Sequence, residues 1–157
     1  MTPVITLRAV QSADLPTLFE HQLDPEAVRL AAFPSRSREA FMAHWAGVLA
    51  NPANVARTIV HNGSVAGHIG TWTDAGTGQR LVGYWIDRTY WGRGIASAAL
   101  AQFLDEEKTR PLTACVARHN AASLRVLQKC GFVVVGEDRF TDAEGQSVKE
   151  LVLRFGL

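Results

Sequence analysis

Binding a pyrophosphate takes amide donors and room for close approach, and one stretch of this 157-residue chain offers both. Trp91-Gly92-Arg93-Gly94-Ile95-Ala96 is a glycine-rich turn that runs straight into the stripe Ala99, Leu100, Phe103 and Leu104, the spacing of a helix with one buried face. The first amides of a helix lack intrahelical acceptors and carry partial positive charge; glycine removes the side chain that would hold an anion away. Gly92 and Gly94 permit the curvature, and the small Ala96 and Ser97 keep the helix start accessible. A second helix start follows at Asn120-Ala121-Ala122-Ser123, closed by Lys129-Cys130-Gly131-Phe132, with room for one strand between the two. Asn120 suits an N-cap and Gly131 a C′ position, with Leu124, Leu127 and Cys130 facing the core.

Other chemistries fit less well. A GxGxxG dinucleotide site is disfavoured because Ser97 stands at the third small position and Thr113 and Ala114 stand where an acidic residue belongs. No glycine loop leads into Gly-Lys-Ser or Gly-Lys-Thr, so an NTPase P-loop is unsupported. Cys115 and Cys130 are too few and too far apart for a Cys-Cys metal site, and no metal is expected. A net charge of +1 gives no polyelectrolyte case for nucleic acid or membrane, so any phosphate site must be local. With no apolar run near ~18 residues, no secretory leader and two thiols, a single cytoplasmic domain over residues 1–157 is expected.

The elements that would position these groups read as follows. Strand 4–8 leads to a helix capped by Ser12 or Asp14 that carries Leu15, Leu18, Phe19 and Leu23. The pattern breaks around Pro25 and Pro34, leaving 24–36 as an irregular connection, before Ser37 opens a helix with Phe41, Trp45, Val48 and Leu49. Strands 55–61 and 65–72 flank Asn62-Gly63, a tight-hairpin signal. Strand 80–86 precedes the glycine turn and strand 112–117 follows its helix, a crossover unit that favours parallel pairing; strands 132–136 and 148–155 complete the chain. The expected fold is α/β of the α+β type: a mixed, mostly antiparallel twisted sheet with one splayed parallel pair, flanked by helices.

From Gly83 to Phe132, Gly-Tyr-Trp-Ile-Asp, Tyr-Trp-Gly-Arg-Gly-Ile-Ala, Asn-Ala-Ala-Ser and Lys-Cys-Gly-Phe fall in an order and spacing that resembles the GNAT N-acetyltransferase superfamily, specifically its RimJ/RimL-like branch. The generic signature turn begins with Gln or Arg; Trp91 stands there instead, a departure shared by that branch. The resemblance implies acetyl-CoA as donor, with its pyrophosphate on the amides of Arg93, Gly94, Ile95, Ala96 and Ser97 and its pantetheine between the splayed strands. Strand backbone at Trp85, Ile86 and Asp87 can bind pantetheine amides as it would an added strand. It also implies that Asn120 contacts the cofactor and that Ser123 hydrogen-bonds the departing sulfur. The expected reaction, on that resemblance, is direct attack by a primary amine in a ternary complex, the amine belonging to a protein N-terminus or a small molecule.

Several readings stay open. Candidate bases are His68, His119 and Glu137, although an α-amino group of pKa about 7.7 to 8.0 needs little help. Tyr84 faces either the core or the acceptor side. Trp45, Trp72, Trp85 and Trp91 are taken as core, segment 24–36 as an acceptor-site flap, and Asp105-Glu106-Glu107-Lys108 as a solvated helix end. An exposed edge strand offers a surface for a homodimer. The rivals are a non-catalytic acyl-CoA-binding regulatory module and, more remotely, a nucleotide-binding enzyme.

Overall fold

A computed structural model describes residues 2–142 and 144–156. Its strands are β1 (Thr6–Ala9), β2 (Val55–His61), β3 (Ser64–Thr73), β4 (Arg80–Ile86), β5 (Leu112–Ala117), β6 (Val133–Thr141) and β7 (Ser147–Phe155); its helices are α1 (Leu15–His21), α2 (Pro25–Ala31), α3 (Arg38–Ala50), α4 (Ile95–Glu106) and α5 (Ala121–Lys129). The seven strands form one sheet in the order β1-β2-β3-β4-β5-β7-β6. Every neighbouring pair is antiparallel except β4 and β5, whose parallel pairing is confined to Leu81 and Thr113. Beyond that point the two strands part, leaving a gap between their C-terminal ends.

The glycine-turn stripe does what its spacing predicts: Ile95, Ala99, Leu100, Phe103 and Leu104 are buried against Ile69, Val82, Leu112, Ala114 and Val116, and Leu127 of α5 joins the same core. On the other face, α1 and α3 pack Leu15, Leu18, Phe19, Phe41 and Trp45 over Ala56 and Val65. This second covering does not extend along β5, where Cys115 is exposed. The β2–β3 hairpin turns on Asn62 and Gly63, both with positive φ, as the Asn-Gly pair requires.

Four expectations need correction. Segment 24–36 is not an irregular connection throughout but contains α2: Asp24 caps it by accepting the Ala27 amide at 3.0 Å, and Pro25 sits at the first helical position, where its missing N–H costs nothing. The first helix ends at His21, so Leu23 lies outside it and is exposed. Strand β6 does not stop at Gly136; a bulge between Val134 and Gly136 lets it continue to Thr141. Glu107 is not a solvated helix end but is buried, accepting from Thr71 Oγ1 at 2.7 Å and Arg80 Nε at 3.0 Å. Burial pushes its carboxyl up, but Thr71, Arg80 and the Thr109 amide outweigh that and hold it below the ordinary value.

Candidate functional site

The end of β4, the glycine turn and the first turns of α4 and α5 enclose a cleft of about 490 Å³. Gly92 and Gly94 have φ of +75° and +76°, a region that side-chain-bearing residues enter only with strain. Gly94 is the N-cap of α4 and provides no side-chain cap, so the leading amides of the helix keep their donors. Trp91 fastens the turn: its indole Nε1 donates to the Ile86 carbonyl at 2.9 Å, tying the loop to the strand it leaves. A Gln or Arg at this position would lack that rigid apolar plate.

On the opposite wall Asn120 caps α5 by accepting the Ser123 amide at 3.3 Å. That cap holds Ser123 in the first turn, where its Oγ lies 2.7 Å from the Tyr84 hydroxyl. Tyr84 therefore faces α5 and the cleft, which its sequence position left open. Burial pushes its phenol up to about 12, with the Ser123 hydrogen bond acting the other way, so both hydroxyls keep their protons across the neutral range.

Of the residues singled out from sequence, Trp85, Ile86, Gly92, Gly94, Ile95, Ala96, Ser97, Asn120 and Ser123 all line this cleft. Two do not. Arg93 is not among the lining side chains; its guanidinium lies 5.6 Å from the ring centroid of Tyr90, which does line the cleft. Asp87 accepts from the Thr89 hydroxyl and lies 4.0 Å from His21 Nε2, so its carboxylate serves the turn after β4, while its backbone N–H is taken by the Ala66 carbonyl at 2.8 Å.

The structure adds lining groups that sequence reasoning missed. Arg125 and Lys129 are one helical turn apart on α5 and bring two cations to the cleft. Their i, i+4 spacing on the helix that carries Ser123 was the available signal. Ala27, Leu30 and Ala31 of α2 close the far side, within the segment taken from sequence as an acceptor-site flap, whose helical form was hidden because Pro25 reads as a breaker. Gln22 completes this wall's anchorage, its side chain accepting from Arg36 N at 2.6 Å and donating to Arg36 O at 3.1 Å across the base of the α2 segment. Of the four tryptophans only Trp45 is core; Trp85 and Trp91 line the cleft, and Trp72 lies over Gly83 and is exposed.

None of the three candidate bases lines the cleft. His68 stacks edge-on against Trp45 at 5.0 Å between centroids, and burial, then His21 and His44, push it down to about 4. His119 Nε2 is 2.8 Å from the Arg29 carbonyl, tying the start of α5 to the end of α2. Glu137 is exposed on β6 and sits 3.6 Å from Arg118.

Among the described residues no cluster of His, Cys, Asp and Glu is arranged to hold a metal, and no helix is long and apolar enough to cross a membrane. The fold is shared with solved acetyltransferase structures. A candidate phosphinothricin N-acetyltransferase superposes with a TM-score of 0.82 at 24% identity, covering 98% of this chain and 99% of its own. Spermidine N-acetyltransferase from Vibrio cholerae, solved with CoA and spermine, gives 0.78 at 18%, covering 96% and 95%. The microcin C7 self-immunity acetyltransferase, solved with acetyl-CoA and AMP, gives 0.81 at 16%, covering 98% and 92%. At such identities the likeness carries the fold, and no curated protein matches the chain in sequence. A sequence profile does: residues 5–133 match the acetyltransferase (GNAT) domain, and with the splayed strands and glycine turn described above this chain belongs to the GNAT acetyltransferase family.

Proposed function

We propose that the protein transfers an acetyl group from acetyl-CoA to a primary amine, in the manner of the RimJ/RimL-like branch. The observation that carries this reading is the opening of α4's uncapped N-terminus into the same cleft as the Tyr84–Ser123 hydroxyl pair. The residues fit the donor. Bare amides at Gly94 through Ser97 suit a pyrophosphate, Arg125 and Lys129 add positive charge, and a side chain at Gly92 or Gly94 would be strained. The parted edges of β4 and β5 retain backbone groups that can pair with pantetheine amides.

Bound acetyl-CoA supplies an activated acyl carbon on a thiolate leaving group. Trp85 and Ile86 orient the pantetheine arm in the strand gap, and Asn120 fixes the α5 turn that presents Ser123. Ser123 Oγ donates toward the sulfur as charge develops there, and Tyr84 Oη holds a proton behind it at 2.7 Å. A thiolate whose conjugate acid has pKa about 8.5 needs only this modest donor. α2 limits water above the gap. Much of the acceleration then comes from holding the amine against the carbonyl, an advantage of orientation that needs few special groups.

The test is acetyl-CoA consumption with spermidine, lysine, phosphinothricin and an alanyl peptide as acceptors. Acetylation of at least one amine is expected. Saturable acetyl-CoA binding with no turnover on any of them would instead favour a regulatory binding module.

A further inference from the structure

Two adjacent residues near the end of β4 line the cleft and face opposite ways. Tyr84 goes with Val82 and Ile86 to the α4–α5 side of the sheet, where its hydroxyl meets Ser123. Trp85 goes to the other side: its indole Nε1 donates to the carbonyl of His21, the last residue of α1, at 3.3 Å. His68, its Cα partner on β3, shares that side and stands edge-on against Trp45 of α3. Gly83, two residues earlier on the same side, contributes no side chain and is overlain by Trp72. Between Val82 and Ile86, Trp85 is thus the one side chain that β4 gives to this side of the gap.

The indole is held in place. A carbonyl at the end of a helix lacks an intrahelical donor, and the Trp85 N–H supplies one to His21. His21 is itself buried, and Leu18 and Phe19 pack the same helix into the core on that face, so the anchor does not follow the indole if it swings. α2 adds Ala27, Leu30 and Ala31 to the cleft, of which Ala27 is buried and Leu30 half-buried. These four side chains offer an apolar surface whose single polar group, the indole N–H, is already engaged.

We infer that Trp85 sets the length of the acyl group this enzyme transfers, admitting two carbons and excluding four. The assignment rests on the acetyl-transfer reading above, which puts the thioester sulfur at Ser123 on the Tyr84 side of β4. The pantetheine arm fills the approach from α4, so the acyl group extends onward through the gap, toward the side where Trp85 stands. An acetyl group ends there in one methyl; a butyryl group adds two methylenes where the indole is fixed. A single methylene of misfit in a hydrophobic pocket changes selectivity roughly 10- to 200-fold. Trp85 in this role touches the acyl chain and takes no part in proton transfer.

The test reads affinity as well as turnover. Dissociation constants for free CoA, acetyl-CoA and butyryl-CoA are measured by calorimetry for wild type, Trp85→Ala and Trp85→Phe, and kcat/KM for both thioesters with the fastest of the four probe amines. Wild type should use butyryl-CoA at least about 100-fold less well than acetyl-CoA, and should bind it at least about tenfold more weakly than free CoA. In Trp85→Ala both ratios should close by at least about tenfold. A general loosening of the cleft weakens every donor alike and leaves the ratios where they are, which separates a selective role from a structural one. Trp85→Phe keeps a smaller ring without the anchoring N–H; it should close both ratios by a smaller factor, and serves if the Ala variant fails to fold. Wild type that takes butyryl-CoA as readily as acetyl-CoA, or a folded variant with unchanged ratios, overturns the role of Trp85 and leaves acetyl transfer standing. CoA binding by wild type with no turnover of either thioester overturns the acetyl-transfer reading, and the affinity ratios alone then decide whether Trp85 limits the acyl chain.

Discussion

Two helices begin at the cleft, and they begin differently. α5 is closed by its own sequence: Asn120 takes the Ser123 amide, just as Asp24 takes Ala27 in α2 and Ser37 takes Ala40 in α3. α4 starts on Gly94 in a left-handed conformation with no side chain over its amides. A glycine N-cap costs only about a few tenths of a kcal/mol relative to Asn, Asp or Ser, a small loss that α2, α3 and α5 avoid and α4 accepts. On the proposed reading, the difference separates a start held rigid by its own side chain from one left open to an external anion. The capped start presents a hydroxyl at a fixed position; the uncapped one presents only backbone. Phosphate binding and sulfur chemistry are accordingly assigned to different helices, and substitutions should separate them.

The largest effect should come from filling the bare start. Gly94→Glu adds bulk, like charge and strain at positive φ, and should weaken acetyl-CoA binding at least about 100-fold by calorimetry. Unchanged affinity would erase the distinction between the two starts. A region remote from both supplies the control. Asp14 accepts from Arg8 at 2.7 and 2.8 Å, from Thr58 Oγ1 at 2.8 Å and from the Gln11 amide at 2.8 Å. The Arg8 hydrogen bond leads in lowering its carboxyl from 3.8 to about 2, against burial. Because the folded value lies below the unfolded one, this stabilisation is complete above the unfolded pKa and fades as pH falls through the folded one. It amounts to about 2 kcal/mol. Denaturant titrations at pH 5 and pH 2 should show that loss in wild type, and Asp14→Asn should abolish it while leaving acetyl-CoA affinity unchanged.

Smaller effects should mark the capped helix. Ser123→Ala removes one hydrogen bond to the developing sulfur charge, about 1.5 kcal/mol or roughly tenfold in kcat, with donor affinity held within about twofold. A fall in affinity rather than kcat would move Ser123 from chemistry to binding. Asn120→Ala should cost about 1 kcal/mol in thermal unfolding. It should disturb turnover only through the displaced Ser123; a loss of turnover exceeding that of Ser123→Ala would give Asn120 a direct part.

Legibility from sequence followed the locality of the signal. The hairpin at Asn62-Gly63, the stripe through Phe103 and the cap at Asn120 rest on contacts within a few residues, and each is found where its spacing put it. α2 was missed because Asp24-Pro25 reads equally as a break and as a cap followed by a first-turn proline. Glu107 was misread because its partners, Thr71 and Arg80, lie 36 and 27 residues away and are brought near by the sheet alone. The Tyr84–Ser123 pair spans 39 residues for the same reason. Strand alternation allowed either face for Tyr84, and the packing of α5 decides it.

The most direct test of the uncapped α4 start as a donor site is ligand-dependent unfolding with acetyl-CoA, NAD and ATP in parallel. At 100 times its dissociation constant acetyl-CoA should raise the unfolding free energy by about 2.7 kcal/mol, and at matched concentrations NAD and ATP should leave it unchanged. No stabilisation by acetyl-CoA, or equal stabilisation by either nucleotide, would contradict the account.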